Sequence, residues 1–213
     1  MKKSIVLASL VLGSVASTVE AGVLTYSNRQ LVAGISNGDI PDLVTDSSFD
    51  PWFGSRYVAG PSSIQFAGIG SSLFDDEFTI SANAAISTAT GGFGGYAAYS
   101  NFTLNFTVTE DAFVTFFLDM GSANPDGAVL VLECMGADGA VFSYSQPVES
   151  NFVRTLAAGN YAMFGSIRIE ACPDDATLNS GLLSVAANAV AVPGPATLVA
   201  FAIFGLVGSR RRR

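Results

Sequence analysis

Phe102-Thr103-Leu104-Asn105-Phe106-Thr107-Val108-Thr109 alternates without a break. Phe102, Leu104, Phe106 and Val108 take one face of an extended chain, and Thr103, Asn105, Thr107 and Thr109 the other. A period of two is the mark of a half-buried strand. Glu110-Asp111 reads as a turn, and Ala112-Phe-Val-Thr-Phe-Phe-Leu118 as the returning strand. Asn124-Pro-Asp-Gly127 is a second turn, leading into Ala128-Val-Leu-Val-Leu-Glu133. Ala137-Asp-Gly139 separates that strand from Ala140-Val-Phe-Ser-Tyr144.

Working outward, the same signal predicts strands at Gly22–Ala33, Ser63–Gly68, Glu77–Ser87, Phe152–Leu156, Tyr161–Glu170 and Leu182–Val192. Turn residues recur between these runs about every ten to fifteen residues, the pattern of a β-sandwich. The expected fold is therefore all-β, a single sandwich domain over residues 22–192. One stretch, Asp39-Ile-Pro-Asp-Leu-Val-Thr-Asp46, suggests a helical turn with Pro41 in its first turn.

Both ends of the chain read as addresses. Met1-Lys2-Lys3, the apolar run Ile5–Val15 and Val19-Glu20-Ala21 form a secretory signal peptide, residues 1–21, cleaved before Gly22. Ser14-Val15-Ala16 is a second cleavage option. The tail, residues 193–213, runs Pro193-Gly194-Pro195, an apolar stretch from Ala196 to Gly208, Ser209, then Arg210, Arg211, Arg212 and Arg213. As a helix, residues 196–208 would be about 20 Å long, short for a hydrocarbon core of about 30 Å. The arginines resist translocation and would stay on the cytoplasmic side of the inner membrane.

Composition narrows the chemistry. Residues 22–192 hold four arginines against seventeen acids, a net of −13. Phosphate backbones would repel such a body, so no nucleic-acid partner is expected. There is no histidine, which excludes Ser-His-Asp and Cys-His arrangements and any His-ligated zinc. Cys134 and Cys172 could close one disulfide in an oxidising compartment, stabilising by about 4 kcal/mol in chain-entropy terms, or remain two buried thiols.

Four clusters carry candidate chemistry. Asp75-Asp76-Glu77 could supply the paired carboxylates of a glycan hydrolase, with Asp75 and Glu77 on one strand face, or be a charged turn entering the next strand. Ser122–Gly127 with Glu133 imitates an EF-hand loop, but Glu133 would lie roughly 17 Å along a strand. A looser calcium site would draw on Asp119, Asp126, Asp174 or Asp175; no other cofactor is expected. Gly91-Gly-Phe-Gly-Gly-Tyr96 lacks the lysine and helix of a phosphate loop and reads as a flexible surface loop. Trp52, Phe53 and Tyr57 could form a sugar-stacking platform or cap the sandwich core. Asn101-Phe-Thr and Asn105-Phe-Thr are sequons that alternation produces unaided.

Val192-Pro193-Gly194-Pro195, the short apolar run and the four terminal arginines together resemble the PEP-CTERM sorting signal of Gram-negative bacteria. Gly194 stands where that family usually has glutamate. The resemblance implies export, recognition by the membrane protease exosortase, and a place at the cell surface or in a biofilm matrix beside extracellular polysaccharide. From about Ala98 the body resembles the jelly-roll-like sandwiches carried by such proteins. Thr155-Leu-Ala-Ala-Gly-Asn-Tyr161 carries that likeness: Leu156 would end one strand, Gly159 take a positive-φ turn and Tyr161 enter the next core face. The expected role is a non-enzymatic surface or matrix protein, the alternatives being a carbohydrate-binding adhesin and, further off, a glycan-active hydrolase.

Overall fold

The computed structural model describes residues 22–37, 41–60, 63–88, 95–123, 128–171 and 178–193. Among them are twelve strands and no helix: β1 (Leu24–Asn37), β2 (Pro41–Asp46), β3 (Trp52–Ala59), β4 (Ser63–Leu73), β5 (Glu77–Thr88), β6 (Tyr96–Val108), β7 (Ala112–Ser122), β8 (Ala128–Gly136), β9 (Gly139–Tyr144), β10 (Val148–Leu156), β11 (Gly159–Glu170) and β12 (Leu178–Ala191). They form two six-stranded antiparallel sheets, ordered β2-β1-β6-β11-β8-β9 and β10-β7-β12-β5-β4-β3. The sheets pack face to face, β1 and β6 over β4 and β5, β11 over β12, and β8 over β7 and β12.

The alternation of β6 is realised residue by residue. Phe102, Leu104, Phe106 and Val108 are buried between the sheets, while Thr103, Asn105 and Thr107 stand on the outer face. Ile80, Val114, Phe116, Leu183 and Val185 answer from the second sheet, and Ile167 and Ile169 complete the first. Burying a side chain of this size is worth about 1.5–3 kcal/mol, so the inner faces dominate stability.

Two expectations need correction here. Pro41–Asp46 is strand, not helix: it pairs with Leu31–Ser36 at the sheet edge, where proline's missing donor costs nothing, and Val44 packs on the core. β3 is an edge strand that the sequence reading did not foresee.

The two ends of the sandwich differ. One end holds the turns 74–76, 109–111, 137–138 and 157–158 and both ends of the body. There Leu24 N donates to Asp75 O at 2.9 Å and Val192 N to Asp111 O at 2.8 Å. Gly22, Val23, Val190 and Ala191 line one groove with Asp76 and Glu110. The opposite end is bounded by Asn37 and Pro41, Gly60 and Ser63, Thr88 and Gly95, Ala123 and Ala128, and Ala171 and Leu178.

The Cys134–Cys172 pairing is overturned. Cys134 is a free, buried thiol opposite Met163 in β11. Cys172 lies outside the described residues, but its neighbour Ala171 is held by a bond from its N to Tyr96 O at 3.1 Å, at the other end of β11. Eight residues of strand separate Met163 from Ala171, roughly 26 Å. One further residue adds only about 3.8 Å of reach, and a disulfide needs Cα atoms within about 7 Å.

Candidate functional site: the exposed face of the second sheet

Register fixes which side chains share the outer face of the second sheet. On β3 they are Phe53, Ser55 and Tyr57, opposite Gly70, Gly68 and Phe66 of β4, which stand opposite Ser81, Asn83 and Ala85 of β5. Phe53 and Tyr57 are 67% and 62% exposed, an unusual cost for two rings on one strand. Four residues of strand place them roughly 13 Å apart. The space over the glycines between them is filled by neighbouring side chains: Asn83 and Phe66 cover the buried Gly68, and the Phe53 ring leans over Gly70. A Cβ on Gly70 would stand 3.1 Å from the Phe53 ring, and one on Gly68 would stand 2.7 Å from Asn83 Oδ1. That Oδ1 is shielded from solvent and has no hydrogen-bond partner. Two exposed rings on one strand face, with Ser55 between them, suit a flat ligand carrying C–H faces and hydroxyl groups.

Trp52 does not belong to this platform. It alternates to the inner face, packs against the core and lies over Gly54, where an added Cβ would fall 2.2 Å from the indole. The expected aromatic trio is thus split, because adjacent strand residues point to opposite sides. Ile64, Phe66 and Asn83 were missed. β4 inverts the usual pattern, with Ile64 at 45% exposure outside and Gln65 at 1% inside.

The acid cluster is a turn. Asp75 and Asp76 lie in the bend between β4 and β5, and only Glu77 is on a strand, so the expected shared strand face of Asp75 and Glu77 is not formed. Asp76 Oδ1 accepts from Val23 N at 2.8 Å, and Asp76 O accepts from Ala189 N at 2.8 Å. Tyr26 donates its hydroxyl to Phe74 O and Glu77 O. Burial, then Asp75, Asp76 and Glu77, push the phenol well above its ordinary range. The cluster pins the start of β1 to the β4–β5 turn and the end of β12.

Asp119, expected on a loop, lies within β7, with Glu149 of β10 directly opposite and Ser184 of β12 on its other side. Among the described residues no group of three His, Cys, Asp or Glu side chains could hold a metal ion. Asp126, Asp174 and Asp175 lie outside the described residues, as do Gly91–Gly94, Gly194, Pro195 and Arg210–Arg213. Tyr96, placed by sequence in the glycine loop, is the first residue of β6. Leu156 ends β10 as expected, and Tyr161 stacks on Phe106 at 5.5 Å. Gly159 has the expected positive φ, 159°, and stands directly after the 157–158 turn as the first residue of β11.

No protein-family profile matches this chain, and no curated protein matches it significantly. Among solved structures, one of the infectious bursal disease virus Gx strain aligns with 74% of this chain and 35% of its own at 10% identity. The chain thus spans about a third of that protein's length, and the TM-score of 0.22 carries no argument.

Proposed function

We propose that this chain is an exported, non-enzymatic surface or matrix protein, sorted through its C-terminal segment by an exosortase-type protease. Its body is a jelly-roll-like sandwich displayed outward. The observation that carries the reading is the meeting of the two ends of the body: Gly22 and Val23 line one groove with Val190 and Ala191. A tether leaving at Pro193 therefore holds one end of the sandwich and leaves the other end free. Val192 is pinned through its N–H to Asp111 and Pro193 is exposed, so a processing site just beyond them follows directly on β12. The test is the intact mass of protein recovered from the cell surface. Loss of residues 196–213 supports processing, and their retention overturns it in favour of a lasting anchor.

A second reading rests on Phe53 and Tyr57, whose exposure on one strand face favours binding of extracellular polysaccharide. Phe53→Ala with Tyr57→Ala should abolish retention on immobilised polysaccharide while leaving the urea midpoint near its original value. Replacing Asp75 and Glu77 by Asn and Gln should leave retention unchanged. Retention that survives the aromatic changes sinks the adhesin reading.

A further inference from the structure

The outer face of the second sheet carries another apolar area, at the corner where the described chain ends. Val190, Phe113, Val153 and Phe117 stand there between 44% and 59% exposed, with Ala186, Thr115 and Asn188 among them. Further along the same strands, Asp119 and Glu149 face one another directly. Like charges opposed in this way destabilise a sheet. Among the described residues neither forms an ion pair. They flank a shallow groove of about 410 Å³ with Phe117, Asn151, Ser184 and Ala186.

We propose that in the uncleaved chain the apolar tail lies back along this face. Residues 196–208 cover Val190, Phe113, Val153 and Phe117, and the terminal arginines reach Asp119 and Glu149. The dimensions agree. Val190 to Ser184 is six residues of strand, roughly 20 Å, and residues 196–208 as a helix measure about 20 Å. Val190 precedes Pro193 by three residues, so the Pro193-Gly194-Pro195 segment is placed to reverse the chain. Charge agrees as well: four arginines arrive where two carboxylates lack a cation. A second copy is the poorer occupant, because it would bring its own acids into a body that already holds seventeen acids against four arginines. The docked tail shields its apolar residues in water and must be released before it can enter a bilayer or a protease. This holds whether or not the tail is later cut.

Disulfide trapping tests it in the purified uncleaved chain, carrying Cys172→Ser and held in detergent-free buffer. Gly205→Cys should link to Asn151→Cys within a single chain and not to Gln30→Cys, which lies on the outer face of the other sheet. Adding Asp119→Asn and Glu149→Gln should lower the linked fraction about two- to fivefold, and detergent micelles should abolish it. Equal linkage to both positions, no linkage, or linkage only between chains would overturn the proposal.

Discussion

The sandwich has two open sides, and they are closed by opposite means. On one side the chain leaves β2 in the first sheet, crosses through residues 47–51 and enters β3 in the second. The fully buried guanidinium of Arg29 spans that crossing. It pairs with Asp46 and donates to Ser48 Oγ at 3.2 Å, to Asp50 O at 3.0 Å and to Ser71 Oγ on β4. On the other side the chain passes from β9 to β10, and rings fill the gap. Phe142 meets Phe116 edge-on at 5.2 Å and Phe152 at 5.7 Å, with Tyr144 beside it at 5.9 Å. Arg154 lies over the outer ring, 5.1 Å from the Phe152 centroid. A charged closure demands every acceptor in place, and Arg29 Nε still has none. A closure of rings demands only volume.

The largest effect should come from the charged side. Arg29→Ala strips a buried cation from Asp46, Ser71 and the Asp50 carbonyl and should cost about 3–5 kcal/mol, read from urea denaturation. Asp46→Asn should cost less, because the amide oxygen can still accept from Arg29. If Arg29→Ala costs under about 1 kcal/mol, this side is held by β3 packing and the contrast fails. Phe142→Ala should cost about 3 kcal/mol, at the low end for a buried ring because a gap at the rim can partly collapse. Phe142→Leu should recover most of that loss, whereas Arg29→Lys should recover little, since a point charge cannot reproduce the fork.

These two sides were unequally legible. The ring side follows from alternation: Phe116, Phe142 and Phe152 each fall on the inward parity of a strand expected from sequence. The charged side was invisible. Arg29 sits within an expected strand, two residues before Leu31 on the same inward face, where a cation contradicts the pattern. Its partners come from 17 to 42 residues away, and no local spacing announces them. Parity separates Trp52 from Phe53 and Tyr57 only once β3 is known to be a strand, and no sequence signal marked it as one. Asp119 and Glu149 meet only through register between β7 and β10, which hydrophobic pattern alone does not specify across a long connection.

A subtler effect belongs to the ring side. Cys134 lies opposite Phe142, and burial pushes its thiol from 9.0 up to about 12. The folded state thus holds this proton where the unfolded chain releases it. The contribution is complete below pH 9 and is lost as pH rises from 9 towards 12. The urea midpoint should fall between pH 8 and pH 11, and Cys134→Ala should fall less over the same range. Equal falls would show that the thiol is not shielded by the rings. At pH 8 a thiol reagent should leave Cys134 unmodified until the chain is unfolded.

The smallest effect returns to the charged side. Arg56 of β3 donates to Asp42 of β2 at 2.8 Å and to the Leu43 carbonyl at 2.6 Å, again joining the two sheets at this edge. Its motif matches that of Arg29, but its setting does not, since the two side chains are 33% and 61% exposed. Water already solvates both groups, so the Coulomb gain is screened and the ordering of two side chains offsets part of it. Asp42→Asn should therefore cost at most about 1 kcal/mol, and that cost should shrink as salt is raised. The Arg29 variants should show little salt dependence, because buried pairs are screened far less. A double-mutant cycle of Arg56 with Asp42, measured at low and high salt, separates the cases. If its coupling matches that of Arg29 with Asp46 and ignores salt, burial is not what distinguishes the two clamps, and the charged side is one cooperative network running the length of β3.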